Sequence, residues 1–269
     1  MAQPHEHLDA TRQACNLLMQ APDKLRGVII KARHGASLSC FLDDVKKLHP
    51  TRTIISAAAP DDVFFGGIDI SATLHAGREI HQEGLVAKAS MLVITSAQQM
   101  DAQKAARLVI LLSDMEKAPP LILIDESTDD EDPIPDVMER YCAFRTTLEE
   151  AHLRELTARQ PWCLHPQTQH HQLAVTAEQM ELATIIPIQF GLDDPRWGLF
   201  LLHAGRCQAA MTQKEQVTFA DIEDVAPLVI ANRAKALPEE PEPPQPEPEE
   251  PDHQSEHEAL RKQEMLHED

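Results

Sequence analysis

The sequence predicts an α/β protein with three parts: a parallel sheet within residues 1–150, a helical subdomain over 151–236 and a disordered acidic tail over 237–269. Two patterns carry this. Between residues 27 and 150, strand-sized apolar runs alternate with segments of helical period, as in a parallel sheet whose crossovers are helices. After about Leu148 the period is helical throughout, and beyond Leu237 the composition is no longer that of a folded chain.

Taken in order, residues 10–19 place Ala14, Leu17 and Leu18 at helical spacing before Pro22, which predicts a short helix. Residues 27–33 (GVIIKAR) are a first strand. A loop with one glycine leads into a helix over 39–48, stopped at His49-Pro50 because a residue before proline avoids helical geometry. Residues 53–56 form a second strand, and 61–67 a turn or loop entering a helix near 69–76. Residues 91–95 and 121–125 are compact apolar strands, separated by a helix over 101–114 with Ala105, Leu108, Val109 and Leu112 in phase. A short helix over 135–141 follows, then helices over 149–159, 176–186, 196–211 and 219–236.

Composition excludes several classes of function. With a net charge of −20 and no basic stripe, the chain is not built for nucleic acid or for an anionic membrane surface. Half of that charge lies in residues 237–269, where twelve acids face only Arg261 and Lys262. Seven prolines between 238 and 251 make this stretch an extended spacer, able to reach roughly 45 Å. Five dispersed cysteines without CxxC spacing fit reduced thiols and a cytoplasmic location. No signal peptide or membrane-spanning run is expected.

Residues 27–48 have the strand–loop–helix order of a phosphate-binding P-loop. Such a loop needs glycines to bring N–H groups onto phosphate, a Lys for the β- and γ-phosphates and a Ser or Thr for Mg²⁺. Arg33-His34-Gly35-Ala36-Ser37-Leu38-Ser39 has one glycine and no lysine, so Arg33, Gly35, Ser37 and Ser39 mark a degenerate nucleotide position. The strand 121–125 followed by Glu126 invites a Walker B reading, with Asp125 for Mg²⁺ and Glu126 to activate water. Strand count argues against it, because the third strand carries that carboxylate in such ATPases, and here it ends in Thr95-Ser96-Ala97. Asp125-Glu126 is therefore expected to be a solvated strand end opening an acidic loop. Asp125-x-Ser127 also resembles the start of a DxSxS metal-adhesion motif, but position 129 is Asp. His165, His170 and His171 lack zinc-ligand spacing and are expected on a polar surface loop. Arg140 follows the fourth strand, and Arg196 starts a helix after Asp194-Pro195. From such places in a ring ATPase an arginine reaches phosphate, across a subunit boundary or from the lid.

The run Phe64-Phe65-Gly66-Gly67-Ile68-Asp69-Ile70-Ser71-Ala72-Thr73-Leu74-His75-Ala76-Gly77-Arg78, continued by Glu83-Gly84-Leu85-Val86-Ala87-Lys88-Ala89, resembles a segment of the magnesium chelatase AAA+ subunits. Its FGGxDxxATLxxGR form is similar to that of the D subunit. Three further stretches agree in order: 132–141, similar to an element ending in Asp-Arg-Phe but with Glu139 and Tyr141 as departures; 204–210 with 217–222, similar to the lid helices; and the Pro/Glu-rich tail, similar to an acidic linker. The resemblance covers about residues 20–250. The hydrolysing I subunit's GKS and its third-strand Asp-Glu are absent, as is the integrin-I-like domain that follows the linker in the D subunit, so the chain is expected to be a fragment or truncated product.

The resemblance implies an AAA+ type, P-loop NTPase-like fold with a helical lid. It implies a non-hydrolysing platform that forms a ring with ATPase I subunits, works with the porphyrin-binding H subunit and self-associates. Together these subunits insert Mg²⁺ into protoporphyrin IX at the entry to (bacterio)chlorophyll synthesis, a ligase reaction. ATP and Mg²⁺ then act at the level of the complex, with weak or absent binding by this chain. Arg196 becomes a sensor-like residue, and Arg140 one that faces a neighbour's nucleotide unless Glu139 draws it away. Two rival readings remain: an active NTPase using Asp125 and Glu126, and an α/β interaction module unrelated to chelatases.

Overall fold

The computed structural model describes residues 4–128, 133–149 and 173–235. The chain begins with α1 (Pro4–Gln20), α2 (Pro22–Leu25), β1 (Gly27–Lys31), α3 (Ala36–Leu48) and β2 (Thr53–Ser56). Next come α4 (Asp61–Phe65), β3 (Gly66–Ile68), α5 (Ile70–Ala76), β4 (His81–Glu83) and α6 (Leu85–Lys88). The sheet is completed by β5 (Leu92–Thr95), α7 (Ala102–Asp114), β6 (Leu121–Asp125), α8 (Asp136–Tyr141) and β7 (Phe144–Thr147). Helices α9 (Ala177–Gln189), α10 (Arg196–Met211) and α11 (Phe219–Ile230) form the helical part.

Five parallel strands stand in the order β2-β5-β6-β1-β7. Both faces of the three inner strands are covered, which is why β5, β6 and β1 are continuous apolar runs rather than alternating ones. Val28, Ile30, Val93, Ile122 and Ile124 point to the side of α1 and α3, while Ile29, Leu92, Ile94, Leu121 and Leu123 meet α7 and α8 on the other. The first of these cores runs without a break into Trp197, Phe200, Leu201, Ile222 and Val229. The helices after residue 173 therefore share the sheet's core, and residues 1–236 form one compact unit.

Local chemistry sets the helix ends. Asp101 caps α7 by accepting from the Lys104 N–H at 2.8 Å, and Thr176 and Thr218 form capping boxes with Gln179 and Asp221. The chelatase-like run 64–84 proves to be a small module of its own. β3 and β4 pair antiparallel around α5, and Gly66 and Gly84 let their backbones touch: a Cβ on Gly66 would lie 2.1 Å from the Gln82 carbonyl, and one on Gly84 2.2 Å from that of Phe64. Asp69 caps α5, and Gly77 ends it in the left-handed conformation.

The structure differs from expectation at several points. α1 starts at Pro4 rather than residue 10, β1 stops at Lys31, and α3 begins three residues early at Ala36. The β3–β4 pair and β7 were not anticipated, and α11 ends at Ile230. The helix expected over 149–159, His165, His170, His171 and the tail lie outside the described residues.

Candidate functional site

At the C-terminal end of β1, Ala32 still donates to the Asp125 carbonyl at 2.9 Å before the chain turns through Arg33, His34 and Gly35 into α3. Each candidate residue there is engaged locally or left open to solvent. Arg33 pairs with Glu149 at 3.2 Å, and His34 Nδ1 lies 3.5 Å from Glu126. Ser39 Oγ donates to the Gly35 carbonyl at 3.0 Å, while Ser37 is half-buried in the first helical turn. A Cβ on Gly35 would meet nothing nearer than 4.0 Å, so close packing does not demand this glycine.

At the end of β5, the third strand, Ser96 adopts the left-handed conformation (φ 52°) and donates through Oγ to Glu126. The backbone N–H of Glu126 in turn donates to Gln98 Oε1 at 3.1 Å. Glu126 is thus held in place with its side chain only 15% exposed, and Asp125 is 1% exposed. This corrects the expectation of a solvated strand end. The reason is a partner twenty residues away. In register, Asp125 matches Lys31 and Arg145 matches Ile29, so both side chains lie on the same sheet face, and Arg145 reaches Asp125 at 3.4 Å.

Arg145 opens a chain of buried charge. Its other nitrogen pairs with Glu139 on α8, and Glu139 also pairs with Arg233, just past α11, at 3.4 Å. Arg233 donates to the carbonyls of Ala143, Cys142 and Val229 and stacks 4.7 Å from the Trp197 ring. Burial lowers the pKa of Arg233 to about 10 and lowers that of Arg145, where Asp125 opposes the shift. Both guanidiniums stay charged at neutral pH, and two carboxylates balance them. Glu139 does not draw Arg140 away; it serves Arg145 and Arg233.

Arg140 pairs with Asp136 at 3.0 Å across one helical turn. Arg196 holds Asp194 through Nε at 3.1 Å to both oxygens and Nη2 at 2.8 Å. Burial would raise the Asp194 pKa, but the hydrogen bonds and charge of Arg196, joined by Arg140, bring it below the usual carboxylate value. The two arginines line one cavity of about 350 Å³, together with Lys24, Arg26 and Tyr141. Arg26 precedes β1, whereas the loop at Arg33 follows it, so this cavity and the loop lie at opposite ends of a strand roughly 17 Å long. The structure does not bring Arg196 to the degenerate loop; it brings it to Arg140.

The AAA lid domain family matches residues 180–255. The 60 kDa magnesium-chelatase subunit of Cereibacter sphaeroides is 30% identical over 247 residues, covering 88% of this chain and 42% of its own length. The corresponding 60 kDa subunit of Rhodobacter capsulatus is 25% identical with the same coverage, and the 67 kDa magnesium-chelatase subunit of Chlorobaculum parvum is 25% identical. This chain has an AAA-like ATPase fold and is similar to magnesium-chelatase subunits over most of its length. It spans less than half the length of these relatives. A crystal structure from Cytophaga hutchinsonii, described as an ATPase, superposes with a TM-score of 0.58 over 84% of this chain and 85% of that one. At 11% identity it speaks for the fold alone.

ATP with Mg²⁺, which an AAA+ fold implies, does not fit the residues at the loop. The lysine is missing, Ser96 stands where a metal-binding carboxylate would, and Glu126 and Glu149 engage the loop's His34 and Arg33. Arg145, Arg233 and Arg26 were not found from the sequence. Arg145 is paired with Asp125 across the sheet and Arg233 with Glu139 from beyond α11, pairings that no local pattern announces. No described helix is long and apolar enough to cross a membrane.

Proposed function

We propose that the chain is a non-hydrolysing AAA+ subunit of a magnesium chelatase, in the role of the D subunit. It would be a platform for an ATP-hydrolysing I subunit, whose turnover drives Mg²⁺ insertion into protoporphyrin IX on an H subunit. The observation that carries this reading is the pairing of a relative's overall sequence with a loop edge stripped of its lysine and third-strand carboxylate. Losing one preorganised charge stabiliser typically costs ~10²–10³ in rate. Such losses are not additive, but a site lacking these groups together has little left to hydrolyse with.

Arg140 is the residue this subunit would contribute. It is half-exposed on a cavity wall at the end of the sheet remote from its own loop, so a phosphate within its reach would belong to a neighbour. Its planar fork matches phosphate oxygens, and an arginine supplied in trans stabilises the charge that develops during phosphoryl transfer. Arg196, on the same cavity, would act from the same side.

Phosphate-release assays on the isolated chain test the first half of the reading: no turnover is expected with ATP and Mg²⁺. Steady turnover abolished by Glu126→Gln or Asp125→Asn would revive the active NTPase.

A further inference from the structure

Arg26 occupies a backbone conformation ill-suited to an arginine. It lies between α2 and β1 at φ 65°, ψ −61°, with its N–H closing on the Pro22 carbonyl at 3.0 Å. A positive φ of this kind is strained for any residue with a Cβ, whereas glycine adopts it at little steric cost. Strain of this kind persists where surrounding structure enforces it and often marks function.

The side chain shows a use. Its guanidinium sits 5.8 Å from the centre of the Tyr141 ring. Tyr141 is itself buried in the cavity wall, and burial raises its pKa against the opposing charge of Arg26. Four cations, Lys24, Arg26, Arg140 and Arg196, line this cavity with one carboxylate, Asp23, in a chain whose net charge is −20. Lys24 pairs with Asp23 at 3.2 Å, Arg140 with Asp136 and Arg196 with Asp194. Arg26 instead meets an aromatic ring, which orients the fork without neutralising it.

We infer that Arg26 is a third phosphate-contacting arginine of this face, receiving with Arg140 and Arg196 the terminal phosphates of a nucleoside triphosphate carried by a neighbouring subunit. The inference rests on the reading above, that this face meets such a neighbour. It adds a residue from the turn before β1, outside both the loop and the lid.

The test exploits composition. The chain has one tyrosine, so 3-fluorotyrosine labelling gives a single ¹⁹F resonance, at Tyr141 beside Arg26. Titration with sodium tripolyphosphate should move that resonance saturably, with affinity about tenfold weaker in Arg26→Gly, as for loss of one charge-assisted hydrogen bond. Because glycine relieves the positive φ, the melting temperature of Arg26→Gly should hold or rise. Arg26→Gln, which keeps the side-chain length, should bind as weakly as the glycine variant. In the assembly with the I subunit, Arg26→Gly should slow ATP turnover about tenfold. A resonance that stays still in the wild-type chain, or that moves with wild-type affinity in both variants, overturns the inference. If Arg140→Ala slows the assembly and Arg26→Gly does not, this inference fails while the proposed function stands. If tripolyphosphate moves the resonance but neither substitution affects the assembly, the partner reading fails and an anion site remains.

Discussion

At the C-terminal end of β1, Arg33 and His34 are each turned toward a glutamate, whereas at its N-terminal end Arg26, Arg140 and Arg196 open onto a shared cavity. The first end is a strand–loop–helix connection with its charges engaged by Glu149 and Glu126. The second lacks that connection but keeps several guanidiniums on one wall. Under the proposed function, a sheet without catalytic groups at one end keeps partner-facing arginines at the other. Between the two ends, Asp125, Arg145, Glu139 and Arg233 tie the central strand to α8 and to the segment after α11.

The largest effect should come from breaking that tie. Arg233→Ala leaves Glu139 with one partner, removes four donations to carbonyls and uncovers Trp197. Loss of one member of a buried ion pair costs about 3–5 kcal/mol, a fall of roughly 10 °C in melting temperature for a unit of this size. A shift below about 2 °C would mean that the two ends are not held together through this residue.

A middle-sized effect is expected at Asp221, the capping partner of Thr218 at the start of α11. Burial would raise its pKa, but the Lys214 ammonium, 2.6 Å away, and the Thr218 hydrogen bonds lower it overall. A depressed folded pKa gives stability that is fully present above the unfolded value near 3.9 and is lost as pH falls through the folded value. Asp221→Asn should therefore cost about 1 kcal/mol at neutral pH, with the gap to wild type narrowing below about pH 4 in urea melts. A gap independent of pH would remove the ionic part of this cap.

The smallest effect belongs to the loop. Arg33→Ala should change stability by under about 0.5 kcal/mol, because its pair with Glu149 has a largely exposed arginine. A larger loss in chemical denaturation would show that the loop edge is held more firmly than its surface ion pairs suggest.

Much of this sheet was legible in the sequence because its three inner strands are apolar on both faces. β7 was not: Phe144-Arg145-Thr146-Thr147 has polar residues at three of four positions, and Arg145 is accommodated by carboxylates from β6 and α8. The β3–β4 pair escaped because its strands are three residues long and largely exposed. At the site, the missing lysine and the empty Walker B place could be read directly, since each is a matter of residue type at a known strand end. Asp125 could not, since its burial depends on Arg145. Arg26 was silent because a strained φ leaves no mark in a sequence, and Arg196 met Arg140 only once α10 had been laid against α2 and α8.

The contrast between the two ends is tested most directly by ATP turnover of the assembly with a catalytic I subunit, comparing Arg140→Ala with the double substitution Arg33→Ala, His34→Ala. The account predicts a loss of about tenfold or more for Arg140→Ala and an unchanged rate for the loop variant. An unchanged rate with Arg140→Ala, together with a large loss on changing the loop, would contradict it.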